Sequence, residues 1–560
     1  MENLSNETDD FEQVPFNFND LKHIDQWKSH ANSISNESNS TCFNFEEKLN
    51  NLLKLSDIED ILFDALANED GNFVNLNTFW NCLKSVGIDE SDPRLTETYN
   101  AFRQYFLHNE ADHEQLVDRN LFRNSIQKNI LLIVRAFKKH LIIPDFEQFK
   151  EKIQKIFDTC KENKTGEVAS YIPQLARVDP NMWAVSVCTI DGQRIDMGDS
   201  KIPFCIQSCC KPLNYAISLT EHNPEYVHKY VGCEPSGQGF NELTLDINNK
   251  PHNPMINAGA IVICSLIKRQ LCSSDRFDFI FNQYKKMSGN QYVGFSNSIY
   301  LSERDTADRN FAMGYFMRQH DLCSIEFTSE SGSIIAATLA NSGICPITGD
   351  RVMDPDAVRN TLSLMHSCGM YDYSGRFAFR VGLPAKSGVS GAILLVIPNV
   401  MGMCIWSPPL DKYGNCVRGV QFCEIFTNQF SFHNYDNLTC TSLKVDPRRI
   451  KQEDYADDIV NMLCKASEGD VKSILRYRLM DKDLSASDYD GRTALHVASA
   501  DGQYEVVKIL IQKCNVDINP IDRWGRRPID DAIEFKHEKV EKFLKDYMEN
   551  SSGVGDSLKI

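Results

Sequence analysis

The chain has no arginine before Arg94, no Cys-x-x-Cys pair, and no apolar run long enough to span a bilayer. Each absence removes a class of protein. A mitochondrial transit peptide is rich in arginine and poor in acid. The start of this chain is acidic, so the residues by themselves favour the cytoplasm. Without paired Cys or His spacings there is no structural zinc signature, and no metal is expected. The longest apolar run, residues 391–406, is broken by Pro398-Asn399 and falls short of the roughly 20 residues a spanning helix needs, so no membrane segment is expected. Positive charge is scarce too, with 59 Lys and Arg against 77 Asp and Glu and a net charge of −18. That balance lacks the surplus that nucleic acid or an anionic membrane would require.

What is present suits a globular protein. With 560 residues, 42% hydrophobic and 24% charged, the chain is too long for one core and should hold about three domains. Nineteen cysteines are too sparse for a disulfide scaffold. Several sit inside apolar runs (Val187-Cys188, Ile263-Cys264, Met403-Cys404), which predicts buried free thiols. Residues 1–45 are rich in Asn, Ser, Asp and Glu and carry too little apolar surface to offset the entropy of ordering, so they are expected to be disordered. Residues 46–162 read as a helical module. Leu52, Leu55, Ile58, Ile61 and Leu62 recur at helical spacing, as do Ile130, Leu131, Val134 and Phe137. Leu66-Ala-Asn68-Glu-Asp70-Gly71 resembles a calcium loop. With Gly71 at the sixth position, Leu66 and Asn77 fall where carboxylates are required, so no calcium is expected.

Residues 165–433 form the central domain. Trp183-Ala-Val-Ser-Val-Cys-Thr-Ile190 leads into Asp191-Gly192, a hairpin turn pair. Helical patterns follow over 208–219 and 257–270. Two apolar runs, 393–397 and 401–406, then predict buried strands about a Pro-Asn turn. Strands at both ends with helices between predict an α+β domain whose terminal strands share an antiparallel sheet. A polar linker (434–456) leads to repeats over 457–548. Gly491-Arg-Thr-Ala-Leu-His-Val-Ala498 and Gly525-Arg-Arg-Pro-Ile-Asp-Asp-Ala532 lie thirty-four residues apart, in the ankyrin pattern of a turn and two helices. His496 reads as a turn hydrogen-bonder rather than a metal ligand. Residues 549–560, rich in Ser and Gly, read as a flexible tail.

One tetrapeptide in the central domain carries chemistry. Ser208-x-x-Lys211, at the head of a predicted helix, places an amine beside a hydroxyl. A serine attacks only once a base takes its proton, and a lysine serves as that base only where burial disfavours its ammonium form. Phe204, Ile206, Cys209, Cys210 and Leu213 make such surroundings. Taken alone the spacing is common, and a serine cap followed by a surface lysine is the more frequent cause of it.

Seven stretches, one of them containing that tetrapeptide, carry a resemblance. Tyr171-Ile-Pro-Gln-Leu-Ala176, Gln207-Ser-Cys-Cys-Lys-Pro212, Lys250-Pro-His-Asn-Pro-Met-Ile-Asn-Ala-Gly-Ala260, Tyr292-Val-Gly-Phe-Ser-Asn297, Ser302-Glu-Arg304 with Asp308-Arg-Asn310, His366-Ser-Cys-Gly-Met-Tyr371 and Ala385-Lys-Ser-Gly-Val389 together resemble the animal kidney-type glutaminases, in the family's order. The resemblance implies an EF-hand-like helical module, an α+β catalytic domain like serine β-lactamases and penicillin-binding proteins, and C-terminal ankyrin repeats. It implies hydrolysis of L-glutamine to L-glutamate and ammonia without a cofactor. Ser208 would be the nucleophile, with Lys211 and Tyr371 moving its proton. The Ser208 and Val389 N–H groups would form the oxyanion hole. Tyr171, Gln207, Asn257, Glu303 and Asn310 would bind substrate together with Ser208, Tyr371 and Val389, and Lys386 would support the site as part of a Lys-Ser-Gly strand. Read without the family, Glu303 is a solvated charge, Asn257 a helix cap and Tyr371 a half-buried aromatic. The family further implies a mitochondrial location, a homodimer or homotetramer, a phosphate activator and a protein partner for the ankyrin repeats.

Two stretches depart from the family pattern. After Phe316 the chain runs through Met317-Arg-Gln-His320 directly into Asp321-Leu-Cys-Ser-Ile-Glu326, about seventeen residues shorter than the family and without its substrate-binding tyrosine. This leaves a second reading, a catalytically impaired homologue that acts as an ankyrin-bearing interaction subunit. A third, a β-lactamase-like acyl hydrolase of another kind, fits Glu303 and the Asn257/Asn310 pair poorly, since these suit a free amino acid. In the loop before Lys250, Glu242 and Thr244 stand where the family has a lysine and an aromatic, which argues against phosphate activation and tetramer formation.

Overall fold

The computed structural model describes residues 55–552 except 69–70, 109–114, 171–172, 238–244, 307–323, 437–443, 450–452 and 481. The readings made for residues 1–45, for Glu242 and Thr244, and for the join after Phe316 lie outside the described residues. The compact unit Ile58–Ile560 carries three modules.

The EF-hand-like module pairs two helix–loop–helix units. The short strands Phe73–Asn75 and Leu116–Asp118 join their loops antiparallel, and Asn75 and Asp118 cap the helices that follow, accepting from the Asn77 and Leu121 N–H groups. Phe63, Phe79, Phe102 and Phe122 fill its core edge to face. The helix Phe146–Lys161, which periodicity groups with this module, packs elsewhere. Its Phe149, Ile153, Ile156 and Phe157 lie against the central sheet with Trp183 and Phe422, because that face is apolar along its whole length and the sheet offers the larger surface.

Five antiparallel strands form the central sheet: β1 (Ala184–Thr189), β2 (Arg194–Gly198), β3 (Ala385–Gly388), β4 (Ala392–Ile397) and β5 (Met401–Trp406), in the order β2-β1-β5-β4-β3. As read from sequence, the terminal strands pair, with Ala184 opposite Trp406. β4 is apolar throughout because both its faces are covered. Leu394 and Val396 face one core, and Ile393 and Leu395 face the other. The helix Ser329–Ala340, buried along its length, lies directly on β5. A Cβ at Gly402 would meet the Ala337 backbone N at 2.0 Å, so only glycine lets helix and strand approach this closely. Residues 208–219 and 257–270 form helices over Cys210–Glu221 and Asn257–Leu266. The second stops short of Gln270, since Ile267 is extended, Lys268 is left-handed, and the Lys268 N–H donates to the Glu221 carboxylate.

The ankyrin repeats stack as three helix pairs beginning at Glu453, Ala494 and Pro528. His496 bonds within its turn as expected. The Thr493 N–H donates to its Nδ1 at 3.2 Å, and its Nε2 lies 3.1 Å from the Arg526 carbonyl oxygen. The last helix, Glu538–Ser552, continues into the segment read as a tail. The EF-hand-like module holds both neighbours. Leu475 and Leu479 of the repeats enter its core, and Lys513 Nζ sits 2.7 Å from Asp64. Burial pushes the Asp64 carboxyl up, but bonds from Lys513 and Arg119 outweigh it and hold the group below its usual range. On the other side, buried Gln193 donates to the Val86 and Ile143 carbonyls and accepts from the Ile143 N–H, while Arg94 donates to the Asp191 and Gly192 carbonyls.

Gln193→Ala strands three buried backbone groups. It should destabilise the junction by about 3 kcal/mol, seen as a lower chemical unfolding midpoint. An unchanged midpoint would show that the junction contributes nothing. The thiols give a second expectation. Burial pushes Cys209 up to about 11 and Cys160 and Cys416 up to about 12, from an ordinary 9.0. Above pH 9 the unfolded chain releases thiol protons that the folded chain keeps. Stability from this source is therefore intact below pH 9 and falls as pH rises toward 11 and 12. The Tm should drop between pH 8 and pH 10.5, and a Tm that rises over that interval contradicts the assignment.

Candidate active site

The site is built around a short turn. The strand Phe204–Cys205 pairs with Ile325–Phe327, and the chain then tightens into a 3-10 turn at Gln207–Cys209 before the helix Cys210–Glu221. Ser208 therefore precedes the α-helix in a tighter turn rather than opening it. Between Phe204 and Leu219, Ser208 is the one residue that keeps partial exposure, in an otherwise buried wall. Gln207 carries φ +48°, a left-handed conformation costly for a side chain with a Cβ. Such strain persists only where the surroundings enforce it.

Here β3 is part of that enforcement. A Cβ on Gly388 would meet the Ile206 carbonyl oxygen at 2.8 Å and Cys209 Sγ at 3.2 Å. The glycine of the Lys-Ser-Gly strand thus lets sheet and turn touch. The Cys209 thiol donates to the Lys386 carbonyl at 3.3 Å, tying the turn to the same strand.

Lys211 is 3% exposed, one turn along from Ser208, and its Nζ donates to Asn257 Oδ1 at 2.6 Å. Asn257 is the first residue of its helix, whose cap is Ile256 with no side-chain cap bond, so the cap reading does not hold and its amide faces the lysine. A Cβ on Gly259 would meet the Asn253 carbonyl oxygen at 1.9 Å. That close approach seats the helix start against the preceding Asn-Pro turn.

Tyr371 also has a left-handed backbone, φ +51°, and is buried. Lys386 Nζ lies 4.5 Å from its ring centre and donates to the Ser387 carbonyl at 2.6 Å. Val389 packs in one small cluster with Tyr371, Leu175 and Ala169. Glu303, on the helix Asn297–Thr306, accepts from Gln207 Nε2 at 2.7 Å and from Ser324 Oγ at 2.5 Å, so it is held in place rather than freely solvated.

The fold thus brings Ser208, Lys211, Gln207, Asn257, Glu303, Tyr371, Lys386 and Val389 onto one set of touching elements. Tyr171 and Asn310 lie outside the described residues. Sequence reasoning missed Ser324. Its only signal is its place in Leu322-Cys-Ser-Ile-Glu326, a stretch noted for its register alone. Among the described residues no group of three or more His, Cys, Asp or Glu side chains is placed to hold a metal ion, and no helix is long and apolar enough to cross a membrane.

Comparisons with known proteins give the family. Residues 166–435 match the glutaminase family model, 58–144 the EF-hand domain, and 455–552 ankyrin repeats in three copies. The chain is 50% identical over 505 residues to the mitochondrial glutaminase liver isoform of Mus musculus, covering 87% of this chain and 83% of that one. It is 45% identical over 519 residues to putative glutaminase 2 of Caenorhabditis elegans, covering 88% and 85%. It is 39% identical over 300 residues to a glutaminase of the cyanobacterium Nostoc, covering 51% and 89%. The chain belongs to the glutaminase family: an EF-hand-like module, a β-lactamase-like catalytic domain and ankyrin repeats, making a glutamine-hydrolysing enzyme.

Proposed function

We propose that this enzyme converts L-glutamine to L-glutamate and ammonia through an ester on Ser208. The observation that carries the mechanism is a partly exposed Ser208 followed, one turn on, by the buried Lys211. Lys211 takes the hydroxyl proton as Ser208 Oγ attacks the side-chain carbonyl carbon. Negative charge then develops on the carbonyl oxygen, where the Ser208 and Val389 N–H groups receive it. The tetrahedral adduct collapses, and the proton passes through Lys211 and the Tyr371 phenol to the leaving nitrogen, which departs as ammonia. Water attacks the γ-glutamyl ester by the reverse proton path and releases glutamate.

The rest of the substrate needs a counter-charge for its α-ammonium. Glu303 supplies it, and the bonds from Ser324 and Gln207 fix the carboxylate and tie it to the nucleophile turn. Asn257, Asn310 and Tyr171 serve the remaining polar groups of glutamine, and Lys386 steadies Tyr371. The ankyrin repeats offer a protein-interaction module. We extend the reading to a mitochondrial location, which the name of the Mus musculus relative supports, and to a homodimer or homotetramer. Phosphate activation is the least supported part, given Glu242 and Thr244. The impaired-homologue reading rests on the short join after Phe316 and predicts binding without turnover.

Rapid acid quench of enzyme turning over L-glutamine, followed by peptide mass analysis, should find the γ-glutamyl adduct on the peptide carrying Ser208. An adduct elsewhere, or turnover with none on any quench timescale, contradicts the mechanism. Glu303→Gln removes the ammonium's counter-charge and should raise KM by about tenfold or more. Ser324→Ala should raise it less, by about threefold. Steady-state KM values for L-glutamine that match the parent enzyme would remove Glu303 from the substrate site.

A further inference from the structure

Among the described residues of the site, Tyr371 is one of two non-glycine residues with a left-handed backbone, and what holds it there is on view. The Met370 N–H, one residue before it, donates to Ser374 Oγ at 2.9 Å. The Ser374 hydroxyl in turn donates to the Tyr371 carbonyl at 2.6 Å. One hydroxyl therefore grips the backbone on both sides of the tyrosine, using its donor and an acceptor site at once. Asn415, fully buried, adds a third hold by donating from Nδ2 to the Met370 carbonyl at 3.3 Å.

This clamp is local and buried. Ser374 is the first residue of the helix Ser374–Arg380 and is 7% exposed, and neither of its two bonds involves a side chain of the site. Left to its own preference, a tyrosine leaves the left-handed region. Rotation of φ back to negative values would swing the ring off Lys386. We infer that Ser374 is a positioning residue that holds Tyr371 in its left-handed conformation, so that the phenol meets the reacting atoms. The inference rests on the reading of Tyr371 as a proton carrier. It concerns the chemical step and leaves substrate binding through Glu303 untouched, so its signature is in kcat.

The test is a double-mutant cycle in the full chain with Ser374→Ala, Tyr371→Phe and both together, measuring kcat and KM for ammonia release. Ser374→Ala is expected to lower kcat by about tenfold or more with KM within about twofold. In the Tyr371→Phe background it should cost nothing further, because no phenol remains to be positioned. Ser374→Thr, which keeps the hydroxyl, should retain most of kcat. If the alanine variant does not fold, Ser374→Cys, close in size with a weaker donor, should give the same ordering. Two results overturn the inference alone, with Tyr371→Phe impaired: an unchanged kcat in Ser374→Ala, or losses that multiply in the double variant as general damage would. Full activity in Tyr371→Phe removes the reading of Tyr371 and the inference with it.

Discussion

The site depends on the contact between the edge strand β3 and the turn that bears Ser208. Backbone meets backbone there only because residue 388 has no side chain. The contact presses Cys209 and Ile206 against the strand, and it places Lys386 over Tyr371. It also helps hold Gln207 in a conformation that its Cβ disfavours. Strain at Gln207, next to Ser208 in the chain, and at Tyr371, beside Lys386, is offset by packing in the sheet behind them. This is the arrangement expected where a fold preorganises polar groups rather than letting them find one another in solution.

The sheet that supplies this rigidity is anchored at its other edge. β2, farthest from β3, is gripped through Gln193 and Arg94 by the EF-hand-like module, and that module is in turn packed against the ankyrin repeats. The three modules form a chain of buried contacts ending in the catalytic sheet. The helix Phe146–Lys161 links the first two, leaving the module in sequence and joining the catalytic core in space.

Much of this is legible in the sequence, for physical reasons. β4 and β5 are apolar runs bounded by Pro398-Asn399, and Asn399 takes the left-handed conformation such a turn calls for. The cysteines in apolar runs are buried free thiols. Other features resist reading. Helical periodicity runs past Leu266, but the Glu221 carboxylate captures the Lys268 N–H and ends the helix, a competition between residues far apart in sequence. The Lys211–Asn257 pairing spans forty-six residues, and no local pattern announces it. Left-handed Gln207 and Tyr371 run against propensity, as functional positions tend to. The partners that hold Glu303 and Tyr371, Ser324 and Ser374, are ordinary serines until the fold brings them close.

The central claim is that Ser208 is the nucleophile of a working glutaminase. Ammonia release from L-glutamine by the full chain, measured beside Ser208→Ala, tests it most directly. The account predicts steady release that the substitution abolishes, with the variant still folded and still binding glutamine. Release that survives in Ser208→Ala would contradict it.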